Sequence, residues 1–369
     1  MDITKRNFFR LLRIGVFNDS EQIEPMSAWK WYQVFHFATM HGVASLLYDG
    51  IDRCRNQFFL QIPPSLDDQW KQSTEEFRQN SQQTTRTLTE LLSILGGSMQ
   101  VRPILVHAHA SALLYDMPSH RAFGSIDIFY PFITQRMKAD RWAVCHGESA
   151  TGNSHSTMSY RWQDVQVNHL HRIASFSNGK NDNALQNIVE KEFRECPPNT
   201  INLNGTTIEF LPPTLQLLHI LSGVACHLLT ANNMLLLWLC DLGVFLRKEG
   251  DKVDYVKLQG WIDQLHLRRV AQLAGHLLVE LFAFSKDEIP FMQQKKGSGV
   301  TLVVNELFSQ HPTQPFSMRQ GSSIFVRATN TSTMKWQLLH SVRYFPYYPS
   351  ECTTNFIHSL TRSFTDIEE

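Results

Sequence analysis

The sequence lacks an excess of charge of either sign. Its 369 residues carry 34 lysines and arginines against 34 aspartates and glutamates, so the formal net charge at pH 7 is zero. Proteins that bind a nucleic-acid backbone usually carry a strongly basic domain or patch. The balanced charge therefore predicts that no nucleic acid is a partner.

Cysteine pairs and long apolar runs are also absent from the sequence. The six cysteines are scattered without a Cys-x-x-Cys pair, which is typical of reduced thiols in a cytosolic protein. The longest uninterrupted apolar run is Met234–Cys240, far shorter than the roughly 20 residues of a membrane span. Arg10 and Arg13 interrupt the apolar N terminus, unlike the apolar segment of a secretory signal. We expect a cytoplasmic protein without a membrane span.

Hydrophobic periodicity divides the chain into three predicted regions. These are an N-terminal helical region over 1–98, a small α/β core over 99–212 and a C-terminal helical domain over 213–369. The predicted helices cover 27–50 with a break at His41-Gly42, 65–95, 108–116, 134–145, 184–193, 214–229, 234–248, 254–264, 268–283 and 334–344. The predicted strands cover 102–106, 125–130, 156–162, 164–171 and 206–211. Polar segments at 178–183, 287–300 and 308–324 are predicted loops.

One predicted strand carries an acidic residue. Within FGSIDIFYPF (123–132), Ser125 and Asp127 lie two positions apart. Such side chains point to the same face of a strand, roughly 7 Å apart. Two carboxylates at this spacing, with a third from a neighbouring strand, can hold Mg²⁺ ions for phosphoryl transfer. Here only one of the two positions is acidic.

The segment from Val101 to Tyr130 resembles an uncharacterised bacterial family of nucleotidyltransferase-like proteins, in the superfamily of DNA polymerase β. Family members read strand, Lys-Gly, helix, Tyr-x-x-Pro, then Arg-x-x-Gly-Asp-(Ile/Val)-Asp. The matching residues are Leu105, Ala112, Tyr115, Pro118, Arg121, Gly124 and Asp127. Residues 30–49, 211–229 and 238–246 are similar to further helices of the family, so the resemblance covers most of 28–285. It implies an α+β protein with a small mixed-sheet nucleotidyltransferase-fold core between helical regions.

The resemblance also implies site residues and a cofactor. Asp127, Ser125 and Asn168 fall at the catalytic positions, and Asp127 is the expected metal ligand. The nucleotide-binding positions are His107, Ala108, Arg121 and Gly124. An active member would use Mg²⁺ with a nucleoside triphosphate.

The sequence departs from the family pattern where the chemistry would occur. His107-Ala108 replaces Lys-Gly, Ser125 replaces the first Asp, and Asn168 lies at or near the place of a Glu. Leu235, Leu236 and Leu237 stand where members often have Gly-Leu-Arg. One carboxylate with a hydroxyl and an amide poorly compensates two Mg²⁺ ions, which prefer anionic oxygens. A single Mg²⁺ brought by nucleotide phosphates could still bind Asp127.

Two functional hypotheses follow. The first is a catalytically impaired pseudoenzyme that binds a nucleotide, another ligand or a protein partner. The second is an active nucleotidyltransferase that moves a nucleoside monophosphate to a hydroxyl of a small or carbohydrate-linked acceptor. The family is frequently associated with surface-polysaccharide genes, and this association supports a carbohydrate-linked acceptor by analogy only.

Simpler structural interpretations remain open for the acidic and histidine residues. Asp127 could be a strand-end acid that hydrogen-bonds nearby backbone or pairs with Arg121. The pairs His107/His109 and His169/His171 could bind Zn²⁺ or Mn²⁺, or could be ordinary polar histidines of a former nucleotide cleft.

Overall fold

A computed structural model describes residues 1–121, 124–153, 157–203, 205–230, 234–292, 299–309 and 331–365. Three helices and a long fourth precede the sheet: α1 (Ile3–Phe17), α2 (Ala28–Met40), α3 (Ala44–Arg53) and α4 (Pro64–Ser93). The seven strands and three helices of the sheet region follow in chain order: β1 (Ile104–Leu105), α5 (His107–Ala112), β2 (Ile126–Phe129), α6 (Ile133–His146), β3 (Glu148–Asn153), β4 (Thr157–Trp162), β5 (Val165–Leu170), α7 (Gly179–Glu195), β6 (Asn199–Leu203) and β7 (Thr206–Phe210). The remaining described helices are α8 (Pro213–Thr230), α9 (Leu235–Glu249), α10 (Tyr255–Gln264), α11 (Arg268–Phe282), α12 (Val300–Leu307), α13 (Thr331–Tyr344) and α14 (Pro349–Thr365).

The strands form one mixed sheet in the order β3-β4-β5-β2-β1-β7-β6. β2 pairs in parallel with β5, β1 pairs in parallel with β7, and the other neighbours are antiparallel. The predicted α+β class is therefore confirmed. The strand that carries Asp127 lies at the centre of the sheet.

The two faces of the sheet contribute to different hydrophobic clusters. Ile126 and Ile128 of β2 pack in a cluster with Ala143 of α6 and Leu91 of α4. Phe129 of β2 points to the opposite face, because side chains alternate along a strand, and belongs to the cluster of the C-terminal helices. Asp127 lies two residues before Phe129 and therefore shares its face. This face is turned toward the C-terminal helices.

The N-terminal helices share a core with the C-terminal helices. Phe8 and Leu12 of α1 belong to the same buried cluster as Phe245 of α9 and Leu278 of α11. The Arg13 guanidinium also donates a hydrogen bond of 3.2 Å to a carbonyl at the end of α11. The helices that precede the sheet in sequence and those that follow it therefore pack against each other.

Two glycines allow α1 and α3 to cross closely. A Cβ atom at Gly15 would lie 1.9 Å from the Leu46 carbonyl oxygen, and one at Gly50 would lie 2.0 Å from the Leu11 carbonyl oxygen. The predicted break between α2 and α3 is confirmed at His41-Gly42, where Gly42 has a φ of 66°.

Several sequence-based boundaries were wrong. Residues 178–183 were predicted as a loop, yet α7 begins at Gly179, because the Asn178 side chain accepts hydrogen bonds from the backbone of Lys180 and Asn181. β3, β6, α12 and α14 were not predicted. The predicted loops 287–300 and 308–324 lie partly outside the described residues, and α12 begins within the first of them.

Among the described helices, α8 alone is long and apolar enough to cross a membrane by length and composition. Its mean hydropathy is marginal, and 72% of the segment is buried within the protein. A buried core helix has the same composition.

Candidate functional site

A row of polar side chains crosses the centre of the sheet. Asp127 of β2 is in register with Asn168 of β5, and Asn168 is in register with Ser159 of β4. Residues opposite one another on neighbouring strands project from the same face. The three side chains therefore lie side by side. Ser125, which directly precedes β2, lies next to Asp127 in this row.

Hydrogen bonds join the members of this row. The Asn168 amide nitrogen donates to Asp127 Oδ1 at 2.7 Å, and the Ser125 hydroxyl donates to the same oxygen at 3.1 Å. The Ser159 hydroxyl donates to Asn168 Oδ1 at 2.8 Å, which orients the amide with its nitrogen toward Asp127. Among the described residues, Asp127 Oδ2 accepts no hydrogen bond, so this oxygen remains available to a cation.

The donor set does not fit the two Mg²⁺ ions that a working site implies. Neither Ser125 nor Asn168 carries a negative charge, and Asn168 turns its amide nitrogen, which cannot ligate Mg²⁺, toward Asp127. Within the described residues, no group of three His, Cys, Asp or Glu side chains is placed to hold a metal. Oδ2 of Asp127, which accepts no hydrogen bond within the described residues, would be the ligand for a single cation.

Arg121 lies in a buried ion pair with Asp241 of α9. The two side chains are 3% and 1% exposed, and Arg121 Nε donates to Asp241 Oδ1 at 3.1 Å. The Tyr115 hydroxyl donates to the same oxygen at 2.8 Å. Burial, with a contribution from Asp241, raises the pKa of Tyr115 well above its usual value. The structure therefore pairs Arg121 with Asp241 rather than with Asp127, and this ion pair occupies Nε and Nη2 of the guanidinium.

His107 occupies the position at which the resemblance implies a lysine. It begins α5 with a φ of 56°, and its Nδ1 lies 2.8 Å from Nε2 of His219 on α8. Burial lowers the pKa of His107 although the Asp127 carboxylate raises it, and burial lowers the pKa of His219 well below its usual value. The pair is therefore neutral, with one imidazole donating to the other. Ala108 follows as a half-buried residue, and Gly124 is exposed directly before Ser125.

The second histidine pair binds a carboxylate of α6. His169 Nδ1 lies 3.0 Å from Asp140 Oδ1 and its Nε2 lies 3.0 Å from the Tyr160 hydroxyl. His171 Nε2 lies 3.6 Å from Asp140 Oδ2. Both nitrogens of the buried His169 are therefore engaged in hydrogen bonds. This arrangement favours structural histidines over the Zn²⁺ or Mn²⁺ ligands that the spacing also suggested.

Sequence reasoning missed two residues that position the site. Ser159 orients Asn168, and Asp241 holds Arg121. The only sequence signal for Asp241 was its place in the helix WLCDLGVFL, which resembles a family helix. Ser159 carried no signal, because its role depends on the pairing of β4 with β5.

Comparisons with known proteins give one match. The family described as "Uncharacterised nucleotidyltransferase" matches residues 27–283, which is more than half of the chain. No curated protein and no solved structure matches the chain. The matched range contains the whole sheet, the polar row around Asp127 and the Arg121–Asp241 ion pair, and the chain belongs to this uncharacterised nucleotidyltransferase family.

Proposed function

We propose that this chain is a catalytically impaired nucleotidyltransferase-family protein that binds a nucleoside triphosphate with one Mg²⁺ ion and transfers no nucleotide. The observation that carries the proposal is the state of Asp127, a lone carboxylate held on one oxygen by two neutral donors. Its other oxygen is the candidate ligand for the ion.

Charge supports the absence of transfer. Two-metal phosphoryl transfer needs several anionic oxygens to hold both ions beside the reacting phosphate. Asn168 and Ser125 supply none, and Asp127 supplies a single negative charge. When bound, one Mg²⁺ would neutralise part of the charge of the phosphates, while Asp127 would anchor it to the sheet.

The neighbouring residues support weak, metal-dependent binding. The neutral His107 cannot replace the phosphate-binding charge of a lysine. Arg121 is already paired with Asp241. Nucleotide affinity should therefore depend on the cation that bridges the phosphates and Asp127.

Calorimetric titration of the full chain with ATP, GTP, CTP and UTP tests the binding step. We expect binding with Mg²⁺ or Mn²⁺, little binding without a divalent cation, and loss of metal-dependent binding in Asp127→Asn. Asp164→Asn is the matched control, because it removes one exposed carboxylate from the turn between β4 and β5. Metal-dependent binding that survives Asp127→Asn would contradict the assignment.

Measurement of pyrophosphate release tests the catalytic step. We expect no release with any of the four nucleotides, with or without simple hydroxyl acceptors. Turnover that Asp127→Asn abolishes would overturn the impairment and identify an active enzyme. A panel of small and carbohydrate hydroxyl acceptors would then define its substrate.

Restoring the missing carboxylates tests the explanation itself. Ser125→Asp with Asn168→Glu would place two further carboxylates within a few ångströms of Asp127, at a Coulombic cost of about 1–4 kcal/mol. We expect a lower Tm without metal and a larger increase in Tm with millimolar Mg²⁺ than the native chain shows. Absence of any gain in Mg²⁺ response would show that the polar row is not a metal site.

The cellular setting is part of the same proposal. A cytoplasmic location in a bacterium agrees with the scattered cysteines and with a nucleotide ligand. Fractionation of cells that express the full chain tests the location, and recovery in the membrane fraction after a salt wash would contradict it.

A further inference from the structure

A cavity of about 390 Å³ lies between α4, α5 and the segment that follows α5. It is separate from the row around Asp127. His109 of α5 lines it, whereas His107 contacts His219 on another side of the helix. Residues two apart on an α-helix point roughly 200° apart. The cavity therefore opens on a different face of α5 from the candidate nucleotide site.

The wall of the cavity is partly apolar. Leu88, Leu105 and Leu113 line it together with Ala112 and Pro118. Burial lowers the pKa of His109 to about 3, Arg121 lowers it further, and a hydrogen bond to the backbone of Ser125 acts in the opposite direction. The imidazole is therefore a neutral part of the wall.

The rim of the cavity is polar and carries one positive charge. Arg86 and Gln82 reach it from α4, and Ser119 reaches it from the facing segment. Among the described residues, the Arg86 guanidinium has no hydrogen-bond or ion-pair partner, and no acidic side chain lines the cavity. Glu90, one turn along α4, instead accepts a hydrogen bond from Gln163. The rim therefore offers an uncompensated cation above an apolar pocket.

We infer that this cavity is a second binding site, for a small anionic molecule with an apolar or aromatic body. Its volume falls within the 300–1,000 Å³ typical of small-molecule sites. The anionic group would pair with Arg86 and accept hydrogen bonds from Gln82 and Ser119. The body would cover the leucines below them. The inference does not depend on nucleotide binding at Asp127.

Two probes with one ring system separate the charge from the apolar contact. 8-Anilino-1-naphthalenesulfonate carries one negative charge, and N-phenyl-1-naphthylamine lacks the sulfonate. Both become fluorescent in apolar surroundings, so each can be titrated against the full chain without nucleotide. We expect saturable binding of both probes, with tighter binding of the anion.

Two variants assign the probes to the cavity. Arg86→Gln should weaken binding of the sulfonate about five- to tenfold and leave the neutral amine unchanged. Thr85→Phe should fill the cavity and weaken both probes at least tenfold, because the half-buried Thr85 lines it. Lys71→Gln is the matched control, since it removes another exposed cation from the same helix. Circular dichroism verifies that each variant is folded.

The outcomes decide the inference. A loss confined to the sulfonate in Arg86→Gln, together with loss of both probes in Thr85→Phe, supports the site and its preference for an anion. If Arg86→Gln and Lys71→Gln weaken binding of the sulfonate equally, the effect depends only on the overall charge of the protein. This result would overturn the anion site. Binding unchanged in Thr85→Phe, or no saturable binding, would overturn the cavity as a binding site.

Discussion

Removal of one partner of the buried ion pair between Arg121 and Asp241 should strongly destabilise the protein. Arg121→Met would leave the Asp241 carboxylate, which is 1% exposed, without its counter-ion. Removal of one member of a buried pair costs about 3–5 kcal/mol. With about 2.1 cal/mol/K of unfolding entropy per residue, this cost lowers the Tm of a 369-residue chain by about 4–6 °C.

The double variant Arg121→Met with Asp241→Leu isolates the reason for this loss. It removes both charges, so no carboxylate remains buried and unpaired. We expect it to recover most of the lost stability, except for about 1 kcal/mol from the hydroxyl of Tyr115, which loses its acceptor. Replacing both partners by apolar groups is often neutral or stabilising.

Thermal and urea unfolding, followed by circular dichroism, measure all variants in one buffer. Arg78→Gln is the control, because its ion pair with Glu75 is exposed and its loss should leave the Tm nearly unchanged. Two results would refute the reasoning: a single variant as stable as the native chain, or a double variant no more stable than Arg121→Met.

Two further predictions concern protonation and helix packing. Burial lowers the pKa of His227 to about 4, so between pH 6.5 and 4 the unfolded chain binds a proton that the folded chain excludes. The free energy of unfolding should therefore decrease as the pH is lowered through this window. His227→Gln should reduce the difference in urea midpoint between pH 7 and pH 5. The corresponding test at an exposed histidine, His266→Asn, should leave that difference unchanged. Gly50→Ala should lower the Tm by several degrees, because its Cβ would lie 2.0 Å from the Leu11 carbonyl oxygen, whereas Gly260→Ala, with no neighbour within 4 Å, should leave it unchanged or raise it. An unchanged Tm in Gly50→Ala would contradict the close crossing.

Local patterns in the sequence were sufficient for the elements whose signals are local. The break at His41-Gly42 required only a glycine that adopts a positive φ after a helical stripe. The strand with Asp127 required a short apolar run with period two. Asn168 was placed near a carboxylate position by resemblance, and the register sets it directly opposite Asp127.

Elements that depend on distant partners could not be predicted in this way. β3 has no apolar alternation, and it is a strand because its backbone pairs with β4. The start of α7 looks polar and loop-like, but Asn178 satisfies the first free amide groups of the helix. Arg121 and Asp241 are 120 residues apart, so nothing local to either residue indicates that they form a pair.

The polar residues around Asp127 support one another, and this bears on what the site does without a metal. Three carboxylates in one row would repel each other until cations bound between them. In this chain, Asn168 and Ser125 each donate a hydrogen bond to the Asp127 carboxylate. Ser159 fixes the amide in the orientation that permits this bond. Oδ1 of Asp127 is therefore satisfied by hydrogen bonds within the protein in the absence of any ion. The row therefore needs no metal ion for its own stability. For this reason we expect Mg²⁺ to bind at Asp127 only when a ligand brings it, and we expect no second ion.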